Sequence, residues 1–318
     1  MPPAGVRGEP GGGGGAQAGR RGTAATWRRL GVEVEAAGCS ALDARRILER
    51  ASGYDLATLL THLDDEAPGR PAAHARAMAA RRGAGEPLQY VLGRWGFRRL
   101  ELLVDHRVLV PRPETEVVAG VAIERLRAHP PTPAPRLVDL GTGSGAIALA
   151  VADEVPWAEV WATDESAGAL AVARANLAGM GRRAGARVRL VRGSWYGALP
   201  VELRGHIDVV VANPPYVGAG EALPEEVAAW EPPGALVAGP DGLEAVRAVV
   251  AGAPAWLAPG GSLVVEIAAH QAAAAVALAR SAGLGRPAVL SDLAGRPRVL
   301  VAQRGRDPGG GVALRTRP

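Results

Sequence analysis

The chain has 318 residues, 48% of them hydrophobic, which allows one large domain or two with a linker and supplies enough apolar material for a core. A single cysteine, Cys39, excludes an intrachain disulfide; the six histidines are scattered without metal-ligand spacing, so no metal site is expected, and every long apolar run is broken by charge, Gly or Pro. The net charge is +4, but residues 1–22 carry +2 and residues 304–318 carry +3, leaving −1 for the body between, so the basic balance belongs to the tails and gives little support to a nucleic-acid groove.

Taken in order, residues 1–22 include the run Gly11 to Gly15 and form an expected disordered tail. No apolar signal core stands at the N-terminus, and the expectation is a soluble, cytoplasmic protein. Over 23–86, Trp27, Leu30, Val34, Ile47, Leu48, Leu56, Leu59, Leu60 and Leu63 recur at helical intervals, punctuated by Gly38, Gly53 and Pro68. This spacing predicts a small helical bundle, with Cys39 as a packing residue. Residues 87–135 form a β-hairpin and helical linker. Phe97, Leu100, Leu102 and Val104 alternate, Val108 to Val110 follow after a break, and Pro130 to Pro135 make a proline-rich joint.

From 136 to 303 strands and helices alternate. Strands are predicted at 136–140, 158–163, 186–192, 206–212, 261–267 and 297–303, and helices at 145–154, 167–179, 241–257 and 270–283. Such alternation specifies an α/β fold with a mainly parallel, doubly wound sheet, whose ligands sit at the carboxyl ends of the strands. Residues 304–318 are a second disordered, basic tail.

The candidate site residues fall at those strand ends. Asp139 and Leu140 lead into Gly141-Thr142-Gly143-Ser144-Gly145, and Asp164 ends the next strand. Glycines at a strand-to-helix turn let a ligand approach the backbone closely, and a carboxylate at the next strand end can hold ribose hydroxyls. A loosened dinucleotide fingerprint fits the same glycines. Asp139, suited to a cationic sulfonium and an amino group, favours S-adenosylmethionine over a nicotinamide cofactor. Trp195, after the third strand, can lie along an adenine face or cap the core.

Asn213-Pro214-Pro215-Tyr216 follows the apolar run Ile207 to Ala212, in a chain whose only other asparagine is Asn176. The turn offers an amide oxygen (Asn213), a backbone carbonyl (Pro214) and an aromatic face (Tyr216). These groups suit a planar nitrogen held in front of a methyl donor, by positioning and electrostatic preorganisation rather than by a strong base.

Several separate segments resemble the release-factor glutamine methyltransferases, the PrmC/HemK family, over roughly residues 25–303. They are Gly85-Glu86-Pro87-Leu88-Gln89-Tyr90, Gly93 with Phe97, Val110-Pro111-Arg112-Pro113-Glu114-Thr115-Glu116, the Asp139 to Gly145 loop, the Asn213 to Tyr216 turn, and Glu231-Pro232 with Ala235-Leu236. The resemblance implies a class I, Rossmann-like methyltransferase domain with a mainly parallel seven-stranded sheet, preceded by the helical bundle and the hairpin linker. It implies methyl transfer from S-adenosylmethionine, with S-adenosylhomocysteine as product, to the glutamine of the Gly-Gly-Gln motif in peptide chain release factors. Gly141 to Gly145, Asp164 and Trp195 would line the cofactor site, with Asp139 and Asn213 also assigned to cofactor binding. Asn213 to Tyr216 would hold the glutamine, and the bundle and hairpin would help bind the release factor.

Arg112 and Glu114 would shape the glutamine pocket or form a structural ion pair. Phe97 would line that pocket or pack in the core. Relatives acting on ribosomal protein L3 read Pro-Arg-Ser-Pro in the linker, where this chain has Arg112-Pro113-Glu114. A DNA or RNA adenine methyltransferase is the more distant alternative, disfavoured by the near-neutral body, since extracting a base demands a basic cleft. A module that binds the cofactor without turnover is disfavoured by the intact Asn213 and Asp164. A monomer without stable nucleic-acid binding is expected.

Overall fold

The computed structural model describes residues 25–306. The tails expected to be disordered lie outside that range, apart from residues 304–306. The chain divides into two compact units with the boundary between Ala80 and Arg81, so the linker segment belongs to the second unit and the division falls a few residues before the expected 86.

The first unit contains α1 (Trp27–Ala36), α2 (Ala41–Ser52), α3 (Leu56–Thr61) and most of α4 (Gly69–Gly83). Local chemistry sets the helix starts. Thr26 Oγ1 accepts from Arg29 N–H, Ser40 Oγ from Asp43 N–H and Asp55 Oδ1 from Thr58 N–H, each satisfying one orphan donor of a first turn. Gly53, at φ 75°, ends α2 in the left-handed region that favours glycine. The core side chains are Trp27, Leu30, Val34, Ile47, Leu48, Leu59 and Met78, while Leu60, counted among the helical apolar positions, is 57% exposed. Cys39 is buried, as its packing assignment requires.

The second unit opens with α5 (Leu88–Leu92) and a two-stranded hairpin, β1 (Arg94–Phe97) and β2 (Leu100–Leu103). Val108 to Val110, expected to extend the hairpin, form no strand. The Val110 N–H donates instead to Glu231 Oε2 at 3.2 Å, and Pro111 cannot donate to a ladder. Then follow α6 (Pro113–Arg127), β3 (Arg136–Leu140), α7 (Ala146–Glu154), β4 (Glu159–Asp164), α8 (Ala167–Gly179), α9 (Arg182–Gly185), β5 (Val188–Arg192), β6 (Ile207–Ala212), α10 (Glu225–Trp230), α11 (Glu244–Trp256), β7 (Leu257–Glu266), α12 (Ala272–Ser281), β8 (Gly285–Ser291) and β9 (Pro297–Gln303).

The sheet has seven strands in the order β5-β4-β3-β6-β7-β9-β8. The first five are parallel, and β9 runs antiparallel to both of its neighbours. Strand side chains alternate between two cores. Leu137, Val209 and Val211 pack with Ile123 and Leu126 of α6 and with α7, while Val138, Leu140, Val210 and Ala212 pack with Val246, Val249 and Val250 of α11. Burial on both faces explains why β6 reads as a nearly unbroken apolar run. Strand β8 went unforeseen because it is an edge strand, mostly exposed, with Pro287 inside it. Chain order reverses between β3 and β6, the switch point where doubly wound sheets bind ligands.

Candidate active site

The β3–α7 loop turns back on itself through Gly141, Gly143 and Gly145, at φ 74°, 56° and 86°. Main-chain bonds set its path: the N–H groups of Gly141 and Thr142 both donate to the Thr163 carbonyl at 2.9 Å. Behind the loop lies Asp139, 1% exposed. Its Oδ2 accepts from Thr142 Oγ1 at 2.7 Å and from Ala148 N–H at 3.1 Å, while Oδ1 has no hydrogen-bond partner. Burial pushes this carboxyl up to about 7. Asp139 thus braces the loop from within and is not among the residues that border the cavity. Gly145 is likewise structural: it caps α7, and a Cβ there would come within 3.1 Å of Leu149.

In front of the loop a cavity of about 380 Å³ opens at the strand ends. Gly141, Thr142, Gly143 and Ser144 of the loop line it together with Asp164, Trp195, Asn213 and Pro215. Asp164 Oδ2 accepts from Gly143 N–H at 2.8 Å and Oδ1 from Ser166 N–H at 2.9 Å, and burial raises its pKa. Trp195 has a positive φ of 43°, an uncommon backbone state for a large side chain. Its ring lies against Gly141, where a Cβ would stand 3.5 Å away. Glycine is favoured at position 141 by its positive φ of 74° rather than by lack of space.

The Asn213-Pro214-Pro215-Tyr216 turn leaves β6 at the same cavity. Distant side chains fix it. Asn213 Nδ2 donates to Thr115 Oγ1 at 3.0 Å. Thr115 donates to Glu266 Oε2 at 2.7 Å, and the Tyr216 hydroxyl donates to Glu266 Oε1 at 3.3 Å. Gln271 Nε2 donates to the carbonyls of Tyr216 and Gly242 at 3.0 and 3.1 Å. Burial pushes Glu266 up to about 7 and raises Tyr216 as well, so the phenol stays neutral. Pro214 is buried within the turn, and neither it nor Tyr216 lines the cavity beside the glycine loop.

The linker residues divide. Arg112 Nη2 is paired with Glu231, which is 4% exposed and also accepts from Val110 N–H. The ion pair ties the linker to the residue that ends α10. Glu114 pairs with Arg296 at 2.9 Å. Phe97 is 1% exposed, packs in the core with Leu102 and Val118, and does not reach the cavity wall. Thr115, which follows Glu114 and was given no site role in the sequence, both lines the cavity and touches Asn213. Glu266 and Gln271 were missed for want of a local signal. Asn176 was noted only as rare. It bonds both backbone groups of Leu103 and the Ser144 carbonyl, tying β2 to the glycine loop. Among the described residues no His, Cys, Asp and Glu cluster could hold a metal.

A glycine loop on β3, a carboxylate ending β4 and a ligand cavity at the switch point of this seven-stranded sheet define a class I, Rossmann-like methyltransferase domain. The chain also matches the family described as PrmC N-terminal domain over residues 33–93 and that described as Methyltransferase small domain over residues 120–229. It is 45% identical to the release factor glutamine methyltransferase of Bordetella pertussis over 265 residues, covering 82% of this chain and 94% of that one. Identity to the enzyme of the same name is 42% in Burkholderia pseudomallei (87% of this chain, 95% of that one) and 43% in Moorella thermoacetica (83% and 91%). The chain belongs to the release factor glutamine methyltransferase family.

Proposed function

We propose that this chain transfers a methyl group from S-adenosylmethionine to the side-chain amide nitrogen of the glutamine in the Gly-Gly-Gln motif of peptide chain release factors. One observation carries the reading: Asn213 and Pro215 border the same cavity as the glycine loop, Asp164 and Trp195, so a planar amide held by the turn faces the end of the cofactor site. The cavity suits the cofactor in volume and in chemistry, since Gly141 and Gly143 leave room for close approach and Asp164 presents a carboxylate for hydroxyl groups. When bound, S-adenosylmethionine supplies an electrophilic methyl group.

The chain's own residues do the rest. An amide nitrogen is a poor nucleophile because its lone pair is delocalised into the carbonyl. Asn213 Oδ1 and the Pro214 carbonyl accept its two N–H bonds, hold it in line for attack and favour the geometry that localises the lone pair. Positioning of this kind supplies much of the rate, and fixed acceptors stabilise the charge that develops on the nitrogen. The nitrogen turns acidic as it is alkylated, so no strong base is required. Tyr216 flanks the planar face of the amide. We assign release-factor binding to the helical unit and the β1–β2 hairpin, and we place the protein in the cytoplasm as a monomer without stable nucleic-acid binding. No helix among the described residues is long and apolar enough to cross a membrane.

The test is incubation with labelled S-adenosylmethionine and, separately, a release factor, ribosomal protein L3 and duplex DNA. Label on the release factor is expected. Label on L3 or DNA alone would overturn the assignment.

A further inference from the structure

Behind the glutamine-facing turn lies a chain of three side chains from three distant segments: Asn213 after β6, Thr115 at the start of α6, and Glu266 at the end of β7. The donor count along it is closed. A hydroxyl has one proton to give, and an ionised carboxylate can only accept. Glu266, 0% exposed, accepts a hydrogen bond from the Thr115 hydroxyl on Oε2 at 2.7 Å and from the Tyr216 hydroxyl on Oε1 at 3.3 Å. Thr115, 4% exposed, is then left with lone pairs alone toward Asn213. Only the NH₂ end of the Asn213 amide can face a pure acceptor, and Nδ2 stands 3.0 Å from Thr115 Oγ1. Inverting the amide would set Oδ1 against those same lone pairs.

We propose that Thr115 and Glu266 are positioning residues: their hydrogen-bond polarity locks the Asn213 amide so that Oδ1, not Nδ2, faces the target nitrogen. The proposal rests on the glutamine reading above and deepens it. Neither residue need touch the reacting atoms. Glu266 acts through Thr115 on Asn213 and, by its other oxygen, steadies Tyr216, so one carboxylate sets both ends of the four-residue turn.

The charge on Glu266 is what gives the chain its direction. Several groups face it. Arg298 from β9 favours ionisation and Glu114 from α6 opposes it, while the Thr115 and Tyr216 hydroxyls both stabilise the carboxylate. Arg112 and Arg298 act in turn on Tyr216. Protonation of Glu266 would add a donor at its carboxyl. The Thr115 hydroxyl would be free to turn toward Asn213, and the amide could then invert. Methyl transfer should therefore fall as pH drops through the range in which Glu266 takes up a proton.

The experiment compares wild type with Thr115→Val, Thr115→Ser and Glu266→Gln, using a purified release factor and labelled S-adenosylmethionine across pH 6–9. Cofactor affinity by calorimetry confirms that each variant is folded. With the lock in place, Thr115→Val and Glu266→Gln lower kcat by roughly ten- to a hundredfold, within the range for loss of one preorganised contact, while the release-factor KM and cofactor affinity change by about threefold or less. Thr115→Ser restores kcat, and Glu266→Gln removes the acid limb of the wild-type pH profile. Wild-type kcat and acid limb in Thr115→Val, or a Thr115→Ser variant as slow as Thr115→Val, would overturn the positioning role and leave the glutamine reading intact. A wild-type protein that leaves the release factor unlabelled would overturn both.

Discussion

The two halves of the cavity are braced by the same device built in two ways. Behind the glycine loop, buried Asp139 takes the Thr142 hydroxyl at 2.7 Å; behind the Asn-Pro-Pro-Tyr turn, buried Glu266 takes the Thr115 hydroxyl at 2.7 Å. The first pair is three residues apart and the second is 151 apart. The cofactor half draws its bonds from a short span of chain: β3 and its loop, the end of β4, and Asn176 of α8. The acceptor half is assembled from α6, β6, β7 and the start of α12, and it exists only once the sheet and its helices are in place. Both halves need the sheet, but the glycine loop needs only its neighbouring strand and helix, whereas the turn needs partners up to 151 residues away.

This difference can be broken from either side. The largest effect is expected at the turn. Asn213→Ala removes the acceptor proposed to hold the amide, and methyl transfer should fall by about 10²–10³-fold or more, with cofactor affinity largely unchanged. Single-turnover rates and calorimetry check the two quantities separately, and an equal loss of cofactor affinity would show that the turn is misassigned.

On the other side, Asp164→Ala deletes acceptors for the Gly143 and Ser166 N–H groups. Hydrogen bonds to a charged group contribute roughly 1.5–3 kcal/mol each, and the group is only partly buried. Cofactor affinity should fall by about ten- to a hundredfold, with the release-factor KM near its original value. A change in that KM alone would place Asp164 on the wrong half.

A smaller effect is expected from pH. Asp139 and Glu266 are both pushed up to about 7 by burial, well above the ordinary carboxylate range. The unfolded chain loses these protons at lower pH than the folded one, so between about pH 4 and 7 the folded state binds more protons. Stability should therefore decline as pH rises through that window and level off above it. Urea midpoints at pH 5, 6 and 7.5 should show the decline, and Asp139→Asn and Glu266→Gln should each flatten part of it. A wild-type midpoint that rises from pH 5 to 7.5, with both variants parallel to it, would contradict the assignment.

The smallest effect is expected at the rim. The Glu114–Arg296 pair spans 2.9 Å, with the Arg296 side chain 54% exposed. Such pairs contribute about 0.2–1 kcal/mol, so Glu114→Gln should shift stability by less than about 1 kcal/mol and leave kcat within about twofold. A large loss of kcat would move Glu114 from the structural reading to the glutamine pocket.

The same contrast explains what the amino-acid sequence disclosed. The glycine loop, Asp164 and the Asn-Pro-Pro-Tyr turn were legible because their chemistry is carried by adjacent residues at strand ends. The parallel strands were legible from their apolar runs. Thr115 was not, because its role depends on partners 98 and 151 residues away. Glu266 looks like any acidic residue at a strand end until the fold places it beneath the turn. The partner of Arg112, Glu231, lies 119 residues on, beyond any local pattern. Edge strand β8 escaped because its exposure removes the apolar pattern that marks a buried strand. Asp139 was identified for its charge, whereas the fold uses that charge to brace a loop.

One cavity is proposed to bring the methyl donor and a glutamine amide together. This pairing is tested most directly by fragmentation mass spectrometry of a release factor after incubation with this protein and S-adenosylmethionine. The account predicts a single added methyl on the side-chain nitrogen of the Gly-Gly-Gln glutamine. An unmodified glutamine, with the methyl on any other residue, would contradict it.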